Sequence, residues 1–279
     1  MAKTAKILYP ADLSSLDPAT NPPDYAWRIL AEGDSWFSFG SWKLQSLLRH
    51  LKFDQDTIIV SLAEPGDTLV HMADICGNPA LEQQLAANGF KWDALLLSGG
   101  GNDVIDNARF IVPKRSGPQS SAKPVEEYFD PDALRATLNG ITRGYREIIK
   151  LRDRADSPCP GVPLIAHTYD YCTPRNAPAR FLFPVLGPWL HTAFTAAKID
   201  PVRWNEISDF LIDALGSRLL SLQSRLPNFH VVDTRGTLTR AAPGAIEDDA
   251  DWDNEIHPNR GGFKKIAGKV VAVVNAVLA

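Results

Sequence analysis

The chain has 279 residues, with 29 Lys and Arg against 33 Asp and Glu and 44% hydrophobic residues. That length and apolar content suit one large α/β domain with a real core. A net charge of −4, mixed in sign along the chain, argues against a nucleic-acid surface or an acidic disordered arm, and with no run of about 18 apolar residues no membrane span is expected.

The opening "MAKTAKILYPADLSS" has two lysines but no continuous apolar stretch, so it does not read as a signal peptide. The cysteines, Cys76, Cys159 and Cys172, are odd in number and far apart, which fits reduced thiols in a cytoplasmic protein better than a disulfide framework or a zinc site. Apolar runs then alternate with helical patterns. The pattern predicts strand "WRILAEG" (27–33), helix 43–52, strand "TIIVSLAE" (57–64), helix 79–88 and strand "DALLLSGG" (93–100). Helix 131–154, strand "VPLIAHTY" (162–169), helix 201–226, strand "NFHVVDT" (228–234) and helix 259–278 complete it. Proline near the start of several helices fits its first-turn preference. Five strands with five crossovers predict a three-layer α/β/α sandwich on a parallel sheet, a single domain over 1–279. Two stretches break the alternation: 105–130, with few apolar positions, and 172–200, rich in proline and aromatics. Both follow strand ends on the carboxyl side, where open α/β sheets bind ligands. They read as lid or cap insertions, the second more so because Phe181, Phe183 and Trp189 need something to cover.

Four short blocks fall at that same edge. Ser35, in "EGDSWFSF", sits where the first strand hands over to a helix, a position where serine serves equally as an N-cap. Gly66 lies in the turn "LAEPGDTL" after the second strand. "LSGGGNDV" ends the third strand with a flexible glycine run and the amide of Asn102, and fits neither a P-loop nor a dinucleotide fingerprint. His257, in "DWDNEIHPNRGGF", precedes the last helix among Asp251, Asp253, Asn254 and Glu255. A nucleophile, two oxyanion donors and a base at one edge are the set that acyl transfer needs.

These blocks, in this order, resemble the SGNH (GDSL-type) hydrolase superfamily: Gly33-Asp34-Ser35, Gly66, Gly100-Gly101-Asn102-Asp103 and His257-Pro258. The resemblance implies a flavodoxin-like fold and carboxylic ester hydrolysis through an acyl-enzyme. It assigns Ser35 as nucleophile, the Ser35 and Gly66 N–H groups with the Asn102 amide as oxyanion hole, and His257 as base. It implies no cofactor or metal, and a small-molecule or lipid ester as substrate. One departure stands out, because the family carries Asp three residues before the histidine and this chain has Asn254. The Asn254 side chain, its backbone carbonyl, or the acids Asp253, Asp251 and Glu255 remain open as the group that orients His257, with position 254 first and Asp253 second. His71, His167 and His191 lack metal-ligand spacing and read as structural. Asp103 reads as a brace, Asp170 as a cap and Trp36 as packing. The rival functions are an acyltransferase using the same acyl-enzyme and a non-catalytic binding domain that keeps the pocket. A nucleotide module lacks its phosphate-binding lysine.

Overall fold

The structure is a computed structural model and describes residues 2–14, 24–38, 46–74, 78–86, 89–180 and 185–279. Six parallel strands make one sheet: Lys6–Leu8 (β1), Trp27–Gly33 (β2), Thr57–Ser61 (β3), Ala94–Ser98 (β4), Leu164–His167 (β5) and Phe229–Val232 (β6). Their spatial order is β6-β5-β4-β2-β3-β1. The sequence pattern predicts five of these. The sixth, β1, is three residues long and pairs only with β3 at the sheet edge, too short to show an alternation. Every residue of β3, β4 and β5 is buried, as expected for strands covered by helices on both faces.

The helices are Ser35–Ser38 (α1), Leu69–Met72 (α2), Pro79–Leu85 (α3), Gly101–Ile111 (α4), Pro131–Arg152 (α5), Leu190–Ala196 (α6), Trp204–Gln223 (α7) and Arg260–Leu278 (α8). Local chemistry fixes their starts. Asp130 accepts from the N–H groups of Asp132 and Ala133 ahead of Pro131, and Asn259 accepts from Gly262 N–H at the start of α8. Gly144 lets α5 approach α2 closely, because a Cβ there would lie 2.8 Å from the Leu69 carbonyl oxygen.

One expectation changes. No α-helix covers 46–52: residues Leu47–His50 form a 3₁₀ turn, and Lys52–Phe53 pairs antiparallel with Lys3–Thr4. Positions 43–45 and 87–88, Cys76, Phe181 and Phe183 lie outside the described residues. The 105–130 stretch is anchored to the core at its two ends, while most of its middle is exposed or half-buried. Its first residues extend α4, a 3₁₀ turn at Val125–Tyr128 buries Tyr128, and Phe129 stacks on Phe210 of α7 at 4.6 Å. The 172–200 segment contains a short hairpin, Ala179–Arg180 with Val185–Leu186, followed by α6. Among the described residues no helix is long and apolar enough to cross a membrane.

From β2 the chain moves to β3 on one side and then returns to β4 on the other. The loops leaving β2 and β4 therefore diverge, and the crevice between them is the topological switch point of the sheet. Ser35 follows β2, Gly66 follows β3 and Asn102 follows β4.

Candidate active site

Asp34 decides what Ser35 does. The Asp34 carboxylate accepts from Trp36 N–H at 2.9 Å, and its carbonyl accepts from Phe37 N–H at 3.1 Å. Asp34 is thus the cap of α1, and the Ser35 hydroxyl is free for another partner. Ser35 Oγ lies 2.7 Å from His257 Nε2, across 222 positions of sequence.

His257 is held from its other side by Asn254, whose Oδ1 lies 2.9 Å from Nδ1. The same oxygen accepts from the N–H groups of Ile256 and His257, each at 3.1 Å, while Nδ2 donates to Asp253 at 3.2 Å. Two backbone donors fix which end of the amide faces the ring. An acceptor opposite Nδ1 places the imidazole proton there and leaves the Nε2 lone pair facing Ser35. Burial pushes the His257 imidazole down to about 3, so the ring is neutral at pH 7.

The acids around it have other partners. Asp253 accepts from the Asn254 amide. Asp251 accepts from Thr239 N–H and from Lys265 Nζ, at 2.6 and 2.5 Å. Glu255 turns away from the histidine to the 172–200 segment, where it accepts from the N–H groups of Trp189, Leu190 and His191 at the start of α6, and from Arg175 N–H. In the opposite direction, the buried Arg175 guanidinium donates to the carbonyls of Ala245, Glu247, Trp252 and Asn254. Glu255 N–H completes the exchange by donating to Ala177 O at 2.9 Å. The histidine loop and the 172–200 segment are clasped by two buried side chains of opposite charge. The Trp189 ring also stands edge-on to His257, at 5.9 Å between centroids.

Beside Ser35, Gly100 adopts φ +108°, a conformation that favours glycine, and starts α4. Gly101 lies against the Tyr169 ring, where a Cβ would come within 2.6 Å. Asn102 Nδ2 donates to Asp67 O at 2.8 Å, which ties the turn after β4 to the Gly66 turn and leaves its second amide hydrogen uncommitted among the described residues. Gly66 has φ +84°. The N–H groups of Ser35 and Gly66 donate to no protein acceptor among the described residues. Asp103 receives Leu69 N–H at 2.8 Å and joins α4 to α2. His71 pairs with Asp67 at 2.6 Å, and Asp170 caps the turn at Gly236, Thr237 and Leu238.

A narrow cleft of about 40 Å³ opens at Ser35 and Asn102, with Val104, Ile105, Ile212 and Leu215 among its apolar lining beside the rings of Trp36 and Trp252. A much larger groove, about 910 Å³, is lined by Arg49, Lys52, Arg260 and Lys264 and contains none of these site residues. The cleft, not the groove, is the candidate site, because Ser35, which contacts His257, and Asn102 both line it.

Sequence reasoning misses the supports. Trp36 Nε1 donates to Ile256 O at 3.1 Å, which pins the serine turn to the histidine loop. Arg175 is one basic residue in a loop, and nothing in its local pattern foretells that it is buried. Ser98 and His167 form a second serine–histidine pair at 3.0 Å, wholly buried beneath Asp34.

No protein-family model matches the chain, and no curated protein is significantly similar to it. Solved structures are. The extracellular lipase of Streptomyces rimosus superposes with a TM-score of 0.51 at 13% identity, covering 90% of this chain and 100% of that one. The aryl esterase of M. smegmatis gives 0.49 at 12% identity, with 90% and 100% covered. The carbohydrate acetylesterase Est24 of Sinorhizobium meliloti gives 0.48 at 14%, with 90% and 99% covered. A parallel sheet in this order, overlaid along nine-tenths of the chain, gives the protein the fold of the SGNH hydrolases.

Proposed function

We propose that the protein is a serine hydrolase that cleaves carboxylic esters. The observation that carries this reading is the chain Ser35 Oγ, His257 Nε2, Nδ1, Asn254 Oδ1, with contacts of 2.7 and 2.9 Å. Ser35 Oγ attacks the ester carbonyl as its proton passes to Nε2. The imidazolium so formed keeps its Nδ1 proton on Asn254. Oxygen charge developing on the tetrahedral carbon is met by the N–H groups of Ser35 and Gly66 and by the spare Asn102 hydrogen, donors with no competing protein acceptor among the described residues. The leaving alcohol takes the proton from His257. Water then repeats the sequence on the acyl-enzyme with the same base. Asn254 orients the ring without adding charge, as asparagine does in Cys-His-Asn sites.

The small apolar cleft at Ser35 favours short acyl groups. A fluorophosphonate should therefore label the protein once, on Ser35, and p-nitrophenyl esters should lose kcat/KM as the acyl chain lengthens beyond a few carbons. Absence of labelling in the folded protein overturns the reading. Product that forms only with an added alcohol would point to an acyltransferase instead.

A further inference from the structure

The second serine–histidine pair has an unusual proton count. Asp34 Oδ1 lies 2.8 Å from Ser98 Oγ, and Ser98 Oγ lies 3.0 Å from His167 Nε2. Asp34 Oδ2 is bonded to the Tyr169 hydroxyl, and Oδ1 also accepts from Trp36 N–H at 2.9 Å. At the far end His167 Nδ1 faces the Thr168 carbonyl at 2.6 Å. A carbonyl only accepts, so Nδ1 carries a proton.

Three contacts remain to be filled: Tyr169 to Asp34, Asp34 to Ser98, and Ser98 to His167. With a carboxylate and a neutral imidazole, the two hydroxyls supply two protons. One contact would then set lone pair against lone pair in a site with no water-exposed side: Asp34 is 1% exposed, Ser98 0% and His167 2%. Such an unmet contact is costly when buried. One more proton satisfies all three.

We propose that Asp34, Ser98 and His167 share one proton beyond their ordinary count, so that the group beneath the nucleophile turn is uncharged. The proton rests on Asp34, whose hydroxyl donates to Ser98 while Ser98 donates to His167. Burial works in this direction at both ends: it lifts Asp34 to about 6 and pushes His167 down to about 4. Ser98 steadies the carboxylate only when its proton points at Asp34. Turned toward His167, it withdraws that support, and Asp34 holds its proton to higher pH. The neighbouring carboxyl of Asp103 pushes the same way, and the other titratable groups facing Asp34 are the buried phenols Tyr145 and Tyr169.

The consequence falls on Ser35, the next residue. A carboxylate there would oppose negative charge growing on oxygen at the Ser35 N–H, whereas a protonated carboxyl keeps its cap on Trp36 N–H without that repulsion. His167 also stacks on Trp36, at 5.4 Å and 19°, and Trp36 reaches the histidine loop through Ile256. All three are positioning residues that act through Ser35 and Trp36. Their catalytic effect rests on the ester-hydrolase reading, but the proton count does not.

The test is carboxyl ¹³C and imidazole ¹⁵N NMR on the full chain at pH 7, with Asp34 assigned by its absence in Asp34→Asn. We expect a protonated Asp34 carboxyl and a neutral His167 with its proton on Nδ1. An ionised Asp34 beside a neutral His167 overturns the proposal, whether or not the protein hydrolyses esters. Ser98→Ala takes away the acceptor of the Asp34 proton and leaves that hydroxyl buried and unmet, so it should lower the Asp34 midpoint by about one pH unit and kcat by about tenfold with KM held. Ser98→Cys, which keeps the volume and a weak donor, should fall between. A Ser98→Ala protein that loses activity while its Asp34 midpoint stays put would reduce the trio to packing and overturn its positioning role.

Discussion

Among the described residues are two serine–histidine pairs, Ser35 with His257 at 2.7 Å and Ser98 with His167 at 3.0 Å. Both rings are buried and neutral at pH 7, so distance and pKa direction do not tell them apart. What separates them is what lies on the far side of each hydroxyl. Ser35 borders an open cleft and has 7% of its surface exposed, while Ser98 has none and faces the Asp34 carboxyl. The third group differs too. Asn254 answers His257 with a side-chain oxygen that two backbone N–H groups hold in place, whereas a backbone carbonyl answers His167. A serine–histidine contact becomes a nucleophile only where a carbonyl carbon can reach the oxygen and donors wait for the charge that follows.

The harshest way to break this contrast is Ser35→Ala. It should lower kcat/KM for a short-chain ester by at least about 10⁴-fold, with the thermal transition nearly unchanged because Asp34 supplies the cap. Residual turnover near wild type in a folded variant would move the nucleophile elsewhere. Next comes Asn102→Ala, expected to cost about 10²–10³ in kcat with a smaller change in KM. An unchanged kcat would mean that its only task is to hold Asp67 O.

Asn254 gives a finer test. Asn254→Ala should lower kcat by about 10–100-fold, since the ring loses its tautomer lock. Asn254→Asp should keep activity and move the acid limb of kcat/KM up by about one pH unit or more, because a carboxylate favours the imidazolium. In the native protein the low pKa of His257 keeps the ring neutral, so kcat/KM should stay level from pH 7 down to about 5. A strongly impaired Asp253→Asn beside an active Asn254→Ala would transfer the orienting role to Asp253.

The smallest effect is on stability. The His257 pKa is lowered on folding, so the unfolded chain takes up a proton that the native state refuses. The stability linked to this residue is complete above about 6.5, the unfolded value, and drains away as the pH falls toward about 3. His257→Asn should remove up to about 1.4 kcal/mol per pH unit of that acid-side slope, measured by urea unfolding between pH 6 and 4. An unaltered slope would mean that the ring is charged in the native protein.

The elements that bury a full strand or helix face are legible in the sequence. Thr57–Ser61 and Ala94–Ser98 stand out as unbroken apolar runs, and Pro131 and Asn259 mark helix starts by their backbone chemistry. The site blocks are legible for a related reason: Gly66 and Gly100 both take positive φ, where other residues are strained. The rest depends on contacts between distant segments. Asp34 and Ser35 are equally plausible caps in sequence, and only the 2.7 Å contact to His257 separates them. Asp253 and Glu255 flank Asn254 with apparently better chemistry, yet the loop closes so that one meets a neighbouring amide and the other a helix start. β1, Lys6–Leu8, is too short for any period to register.

The clasp made by Arg175 and Glu255 has a consequence for engineering. Loops beyond strand ends are the usual place to exchange sequence when a scaffold is given a new specificity. In this protein the 172–200 segment and the histidine loop are not separate parts. Exchanging the segment alone would strip Glu255 of four backbone donors, and the Asn254 and Trp252 carbonyls of their cation. A useful graft must therefore carry both stretches, from Cys172 to Asp200 and from Ala245 to His257, as one cassette. His257 and the segment clasped to its loop then travel together.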